Sequence, residues 1–226
     1  MPRRDGNIAA FLLLQPGRRW QPFRVGFSVQ QFEQMKARLN GKRVDASALP
    51  RASRPAPRSL NQVILGIDPS LRGTGYGIIR TGKPHPTVLA HGTIACPKDW
   101  ERSRCLARIS QALRDVLLEF SPEVCVVEGL FFAQNLKTAI IMGEARGAAL
   151  AAVGETGIDI FEIATRKVKQ AIVGYGAAQK IAVAKMVQRL LNLAELPAPD
   201  AADALALALT HAQENSRHGL TLPKRI

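Results

Sequence analysis

Val63-Ile-Leu-Gly-Ile-Asp68-Pro-Ser-Leu-Arg-Gly-Thr-Gly-Tyr-Gly-Ile-Ile79 sets a run of apolar residues against a single acid, a turn, and a second apolar run. The first run, closing on Asp68, reads as a buried strand. Pro69 to Gly75 reads as a turn, and Tyr76 to Ile79 as a strand returning antiparallel to the first. An acid that ends an otherwise apolar strand has its backbone anchored in the core and its carboxylate at the strand's carboxyl end. That is where open α/β sheets bind ligands.

Downstream of this hairpin the pattern stays mixed. Thr87 to Ala95 reads as a third strand. Trp100 to Phe120 carries Leu106, Ile109, Leu113, Val116 and Leu117 at the spacing of an amphipathic helix. Glu123 to Glu128 is short and apolar enough for a buried parallel strand. Asn135 to Val153 predicts a helix with a face of small residues, Gly143, Gly147, Ala148 and Ala151, and Ile158 to Ile163 another strand. Helices follow over Thr165–Ile172, Ala177–Leu193 and Asp200–Gln213, punctuated by Gly174, Gly176, Pro197 and Pro199. Together these predict an α/β fold with a mixed five-stranded sheet flanked by helices on both faces.

Upstream, Leu49-Pro-Arg-Ala-Ser-Arg-Pro-Ala-Pro-Arg58-Ser59 reads as a linker, and three segments are expected. Residues 1–61 form a basic N-terminal extension, 62–215 the main body and 216–226 a basic tail. Of 31 Lys and Arg, 12 lie in residues 1–61 with only 3 of the 18 Asp and Glu, so most of the net charge of +13 belongs to the extension. Such a charge favours a polyanionic partner. With 46% hydrophobic and 22% charged residues, composition excludes a disordered chain.

Three cysteines, Cys96, Cys105 and Cys125, are too few for a disulfide framework and lack CxxC spacing, which fits a reducing compartment. The apolar run Ile8–Leu14 is followed by Gln-Pro-Gly-Arg-Arg with no small-x-small cleavage site. We therefore expect no secretion signal, and no stretch reaches transmembrane length.

The acids carry the chemistry. Glu128 stands to Val124–Val127 as Asp68 stands to its strand, and Asp200 and Asp203 lie at i, i+3 in the first turn of the last helix, on one helix face. Carboxylates gathered at one place repel unless a cation lies between them. Hard oxygen ligands without a Cys or His set indicate Mg²⁺ or Mn²⁺ rather than zinc. Singly, each acid also fits a structural role: Asp200 an N-cap, Asp203 a first-turn acid, Asp68 an Asx turn before proline, Glu128 a solvated strand end.

Four stretches taken in order, Ile64 to Ile78, Glu128-Gly-Leu-Phe-Phe-Ala-Gln-Asn135, Gly143-Glu-Ala-Arg-Gly147 and Asp200-Ala-Ala-Asp-Ala-Leu-Ala206, resemble the RuvC-type crossover junction endodeoxyribonucleases, bacterial enzymes that resolve Holliday junctions. The resemblance runs from about residue 62 to residue 213. It implies a ribonuclease H-like fold, with Asp68, Glu128, Asp200 and Asp203 as catalytic acids holding two Mg²⁺ ions, Mn²⁺ being a substitute. It further implies a role near the scissile phosphate for Lys169 and Lys180, base stacking by Phe131, and DNA contact by Arg146.

The implied activity is paired, symmetric nicking of two strands of like polarity in four-way DNA by a homodimer, leaving 5′-phosphate and 3′-hydroxyl ends. A branch-migration helicase complex is an implied partner, and the bacterial cytoplasm the implied location. The helix over Asn135–Val153, with its small residues, is the expected dimer interface.

The family's frequent Gln and Gly are replaced by Ala182 and Ser70, neither a metal ligand. His211, about 12 Å along the helix from Asp203 at the helical rise, is expected to be structural. Two other functions compete. One is a branched-DNA-binding protein that does not cut. The other is a phosphotransferase of the actin-like and sugar-kinase type, whose first phosphate loop Gly66 to Gly77 also resembles.

Overall fold

The computed structural model describes residues 61–129, 135–216 and 224–226, all within the unit Pro55–Ile226. Six strands form one sheet: β1 (Val63–Asp68), β2 (Gly73–Arg80), β3 (Thr87–Ala95), β4 (Val124–Glu128), β5 (Asp159–Ile163) and β6 (Lys224–Arg225). Their spatial order is β3-β2-β1-β4-β5-β6. β1 pairs antiparallel with β2 and parallel with β4, β4 pairs parallel with β5, and β2–β3 and β5–β6 are antiparallel. The five expected strands are present. The sixth lies in the segment expected to be only a tail, and two residues are too few to carry an alternation a reader of sequence could find.

Among the described residues five helices flank the sheet: α1 (Arg102–Phe120), α2 (Leu136–Gly154), α3 (Thr165–Val173), α4 (Lys180–Leu190) and α5 (Pro199–Ser216). β1 and β4 are central and buried on both faces, which is why they read as unbroken apolar runs. Alternation still sorts their side chains. Leu65, Ile67, Cys125 and Val127 pack with Ile109, Leu113, Ala145 and Ala149 of α1 and α2. Ile64, Val124 and Val126 pack on the other face with Val168 of α3, Val183 and Val187 of α4, and Leu205 to Leu209 of α5.

Two expectations shift at their edges. α4 begins at Lys180 rather than Ala177 and ends at Leu190, beyond which Asn192 adopts φ 49°, a left-handed conformation that stops the helix. β2 begins at Gly73, inside the expected turn, because Asp68 and Gly75 are register partners in the β1–β2 ladder. All three cysteines are free thiols and buried. Among the described residues, no helix is long and apolar enough to cross a membrane.

Candidate active site

The same alternation that builds the core aims the acids. Asp68 lies two residues beyond Gly66 and four beyond Ile64. Glu128 stands likewise to Val126 and Val124, so both carboxylates emerge on the α5 face of the sheet. They do so from adjacent parallel strands, at neighbouring carboxyl ends.

Helix α5 brings the other two acids by packing unusually close. Cβ atoms added at Gly66 and Gly75 would fall inside the main chain of Ala204 and Asp200, and one at Gly77 would lie 2.7 Å from the Leu205 side chain. At Gly73 it would meet Asp200 Oδ2 at 2.8 Å. The glycines are therefore the seat of a helix whose facing residues, Ala201, Ala204 and Ala208, are themselves fully buried and small. That packing gives the glycines a structural purpose, the seating of a helix.

Asp68, Glu128, Asp200 and Asp203 line one cavity of about 330 Å³, together with Lys169, Lys180, Ser70 and Thr165. Burial first, then the neighbouring charge of Glu128 and a hydrogen bond shared with it, then Asp203, push the Asp68 carboxyl from 3.8 up to about 8. Lys180 opposes the rise. Its ammonium lies 3.0 Å from Asp203 Oδ2, and that hydrogen bond raises the lysine's own pKa.

Glu128 is held at both ends. Its main-chain carbonyl accepts from Arg146 Nη1 and its Oε1 from the Thr165 hydroxyl. A 3.2 Å bond from Ser70 N to Thr74 Oγ1, and one of 2.6 Å from that hydroxyl back to the Ser70 carbonyl, brace the turn after Asp68.

Among the described residues, no three His, Cys, Asp or Glu side chains are drawn tightly enough together to cage an ion as they stand. The donor set still fits a hard divalent cation. Four carboxylates face one cavity, one of them costly to ionise where it lies, and among the described residues the cation paired with them is an exposed lysine.

Comparison with known proteins settles the family. The family model for crossover junction endodeoxyribonuclease RuvC matches residues 64–211. The chain belongs to the RuvC family. A RuvC of Thermotoga petrophila is 44% identical over 159 residues, spanning 70% of this chain and 96% of that protein. One from Pasteurella multocida is 45% identical over 150 residues, spanning 66% and 78%. Among solved structures, Thermus thermophilus RuvC in complex with a Holliday junction substrate aligns with a TM-score of 0.65 at 30% identity, covering 73% of this chain and all of that one. The yeast mitochondrial Holliday junction resolvase, at 13% identity and a TM-score of 0.52, shares the fold.

Not every expected residue falls in the cavity. Arg146 corrects the sequence reading. It is 6% exposed, with its guanidinium turned inward to the Glu128 carbonyl and to Glu162 at 2.5 Å, so it braces a RuvC-family acid and is not placed to touch DNA. Phe131 lies outside the described residues. His211 is buried, its ring 4.9 Å from that of Phe161, a core position as expected. Sequence reasoning missed Thr165 and Glu162. A threonine opening a helix reads as an ordinary first-turn residue, and nothing local says that β5 and α2 meet at one ion pair.

Proposed function

We propose that the chain is a divalent-metal-dependent endonuclease that resolves Holliday junctions by paired nicking. The carrying observation is that all four acids and both lysines line one cavity in a chain of this family. Asp68, Glu128, Asp200 and Asp203 would hold Mg²⁺, which when bound supplies a more acidic attacking water and charge stabilisation at the leaving 3′-oxygen.

The chain's own residues do the rest. Asp68, its carboxyl pushed up to about 8 by burial and by Glu128 and Asp203, would hold a proton that a bound cation would displace. Lys180 neutralises Asp203 in the resting site, and on its long exposed stem it is free to turn to a phosphate oxygen. Lys169, across the cavity on α3, would meet the same phosphate. The turn of Pro69 and Ser70 lines one side of the same cavity.

Paired nicks require two such sites related by a two-fold axis. Helix α2 supports a homodimer. Leu136 and Ile140 are 77% and 50% exposed, and Cβ atoms at Gly143 and Gly147 would meet open space, so an uncharged stripe runs along one side of it. The basic extension, residues 1–61, would add phosphate contacts whose strength falls with salt.

The test is a mobile synthetic four-way junction incubated with and without Mg²⁺, with a linear duplex of matched sequence as control. Ligatable nicks confined to the junction, dependent on metal and lost in Asp68→Asn, are expected. Tight binding without cleavage under every metal condition refutes the enzyme reading.

A further inference from the structure

Of the four acids, Glu128 has the longest side chain and the least determined carboxylate. Its last torsion joins an sp³ to an sp² carbon, a broad rotor that no rotamer preference fixes. A ligand in such a position needs a hydrogen-bond donor to stop it turning. The acid's main chain is already immobile: Arg146 holds its carbonyl, Glu162 holds Arg146, and the next residue, Gly129, donates to the Ile163 carbonyl at 2.8 Å. Only the carboxylate is left to orient. The hydroxyl that reaches it belongs to Thr165.

Resting on Glu128 as a metal ligand, we infer that Thr165 is a positioning residue that fixes the rotation of the Glu128 carboxylate and thereby the affinity of the site for divalent metal. Its place in the chain makes the hydroxyl available. A threonine inside a helix commonly returns its hydroxyl to a carbonyl one turn back. Thr165 is the first residue of α3, so no helical carbonyl precedes it by a turn. Nor does it cap the helix: the first turn closes on the Ala164 carbonyl, which accepts from Lys167 and Val168 at 2.9 and 3.1 Å.

Because β5 runs beside β4 and ends at Ile163, the start of α3 lies directly alongside the end of β4. Thr165 Oγ1 donates to Oε1, while the same carboxylate group shares a hydrogen bond with Asp68. Rotation is therefore restrained from two sides, and a cation held between the two acids would replace the restraint from Asp68 while leaving that from Thr165.

The experiment titrates the full chain with Mn²⁺, without DNA, by calorimetry or by the loss of the free-ion electron paramagnetic resonance signal. It compares wild type, Thr165→Val, Thr165→Ser, Glu128→Gln and the double variant Glu128→Gln/Thr165→Val, with a thermal midpoint for each. Valine keeps the branched shape and removes the donor; serine keeps the donor and removes the methyl.

Thr165→Val is expected to weaken Mn²⁺ about tenfold, the lower end of what partners of metal ligands contribute. Thr165→Ser should restore it, and Thr165→Val should add nothing on top of Glu128→Gln. Wild-type affinity in Thr165→Val beside a loss in Glu128→Gln overturns the inference alone. So do equal losses in the valine and serine variants, or losses that track the thermal midpoint. Wild-type affinity in Glu128→Gln removes Glu128 from the metal site, and the inference with it.

Discussion

Two cavities of equal volume, about 330 Å³ each, lie toward opposite ends of helix α5. One, at Asp200, Asp203 and Leu207, is lined by four carboxylates and two lysines gathered from β1, β4, α3, α4 and α5. The other, at Leu209, Ala212 and Gln213, is closed by the β2–β3 connection from Thr81 to Pro86 and contains no acid. Size does not distinguish them. What does is that in the first, elements chosen for core packing each bring a charge, whereas the second is lined by glycine, prolines and an exposed lysine and histidine. Burying like charges is costly, so their convergence asks for a ligand in a way that an empty volume does not.

The contrast breaks first at Asp68. Asp68→Asn keeps the volume and removes the charge. Junction cleavage should fall on the order of a thousandfold, since the metal's share of transition-state stabilisation is several kcal/mol, while junction binding in a gel-shift assay persists. Loss of both together would make Asp68 a structural acid and the two cavities alike.

Next is the helix seat. Gly75→Ala drives a methyl group into the Asp200 main chain, so a stability loss of roughly 3 kcal/mol, the upper range for overpacking, should appear in urea denaturation. Cleavage by the remaining folded protein should also drop, because Asp200 moves.

A third prediction concerns pH. The Asp68 carboxyl, raised from 3.8 to about 8, holds a proton in the fold that the unfolded chain releases. Between those values the folded state binds more protons, so stability without metal falls as pH rises from about 4 to about 8. Metal competes with that proton. Mn²⁺ affinity should therefore climb up to about tenfold per pH unit below pH 8 and level off above it. The check is calorimetry in buffers of different ionisation enthalpy, which counts the proton released. A flat affinity from pH 6 to pH 8 would detach Asp68 from the metal.

The smallest effect sharpens the comparison from the other side. Lys83→Ala and His85→Ala, both exposed at the acid-free cavity, should change stability by less than about 0.5 kcal/mol and leave cleavage unaltered. A cleavage defect in either would give that cavity a function.

Much of this arrangement is legible in the sequence because two simple periods carry it. Alternation in β1 and β4 places Asp68 and Glu128 on one face, and helical spacing pairs Asp200 with Asp203. The glycines after Asp68 are visible too, but their purpose is not. As a turn signal they account for Pro69 to Gly75, whereas the seat they form for α5 depends on a helix that comes far later in the chain. Arg146 misleads for the same reason: an arginine in a family motif looks like a phosphate ligand until β5 delivers Glu162 to it. Thr165 carries no local signal, since its meaning is the neighbouring end of another strand.

The close seating of α5 on glycine has a consequence for biosynthesis. Two of the four acids arrive on the final helix of the body, long after the strand bearing Asp68 has left the ribosome. A partly made or prematurely ended chain thus carries half the acid cluster. Among the described residues, the last helix in chain order is the one that completes the cluster.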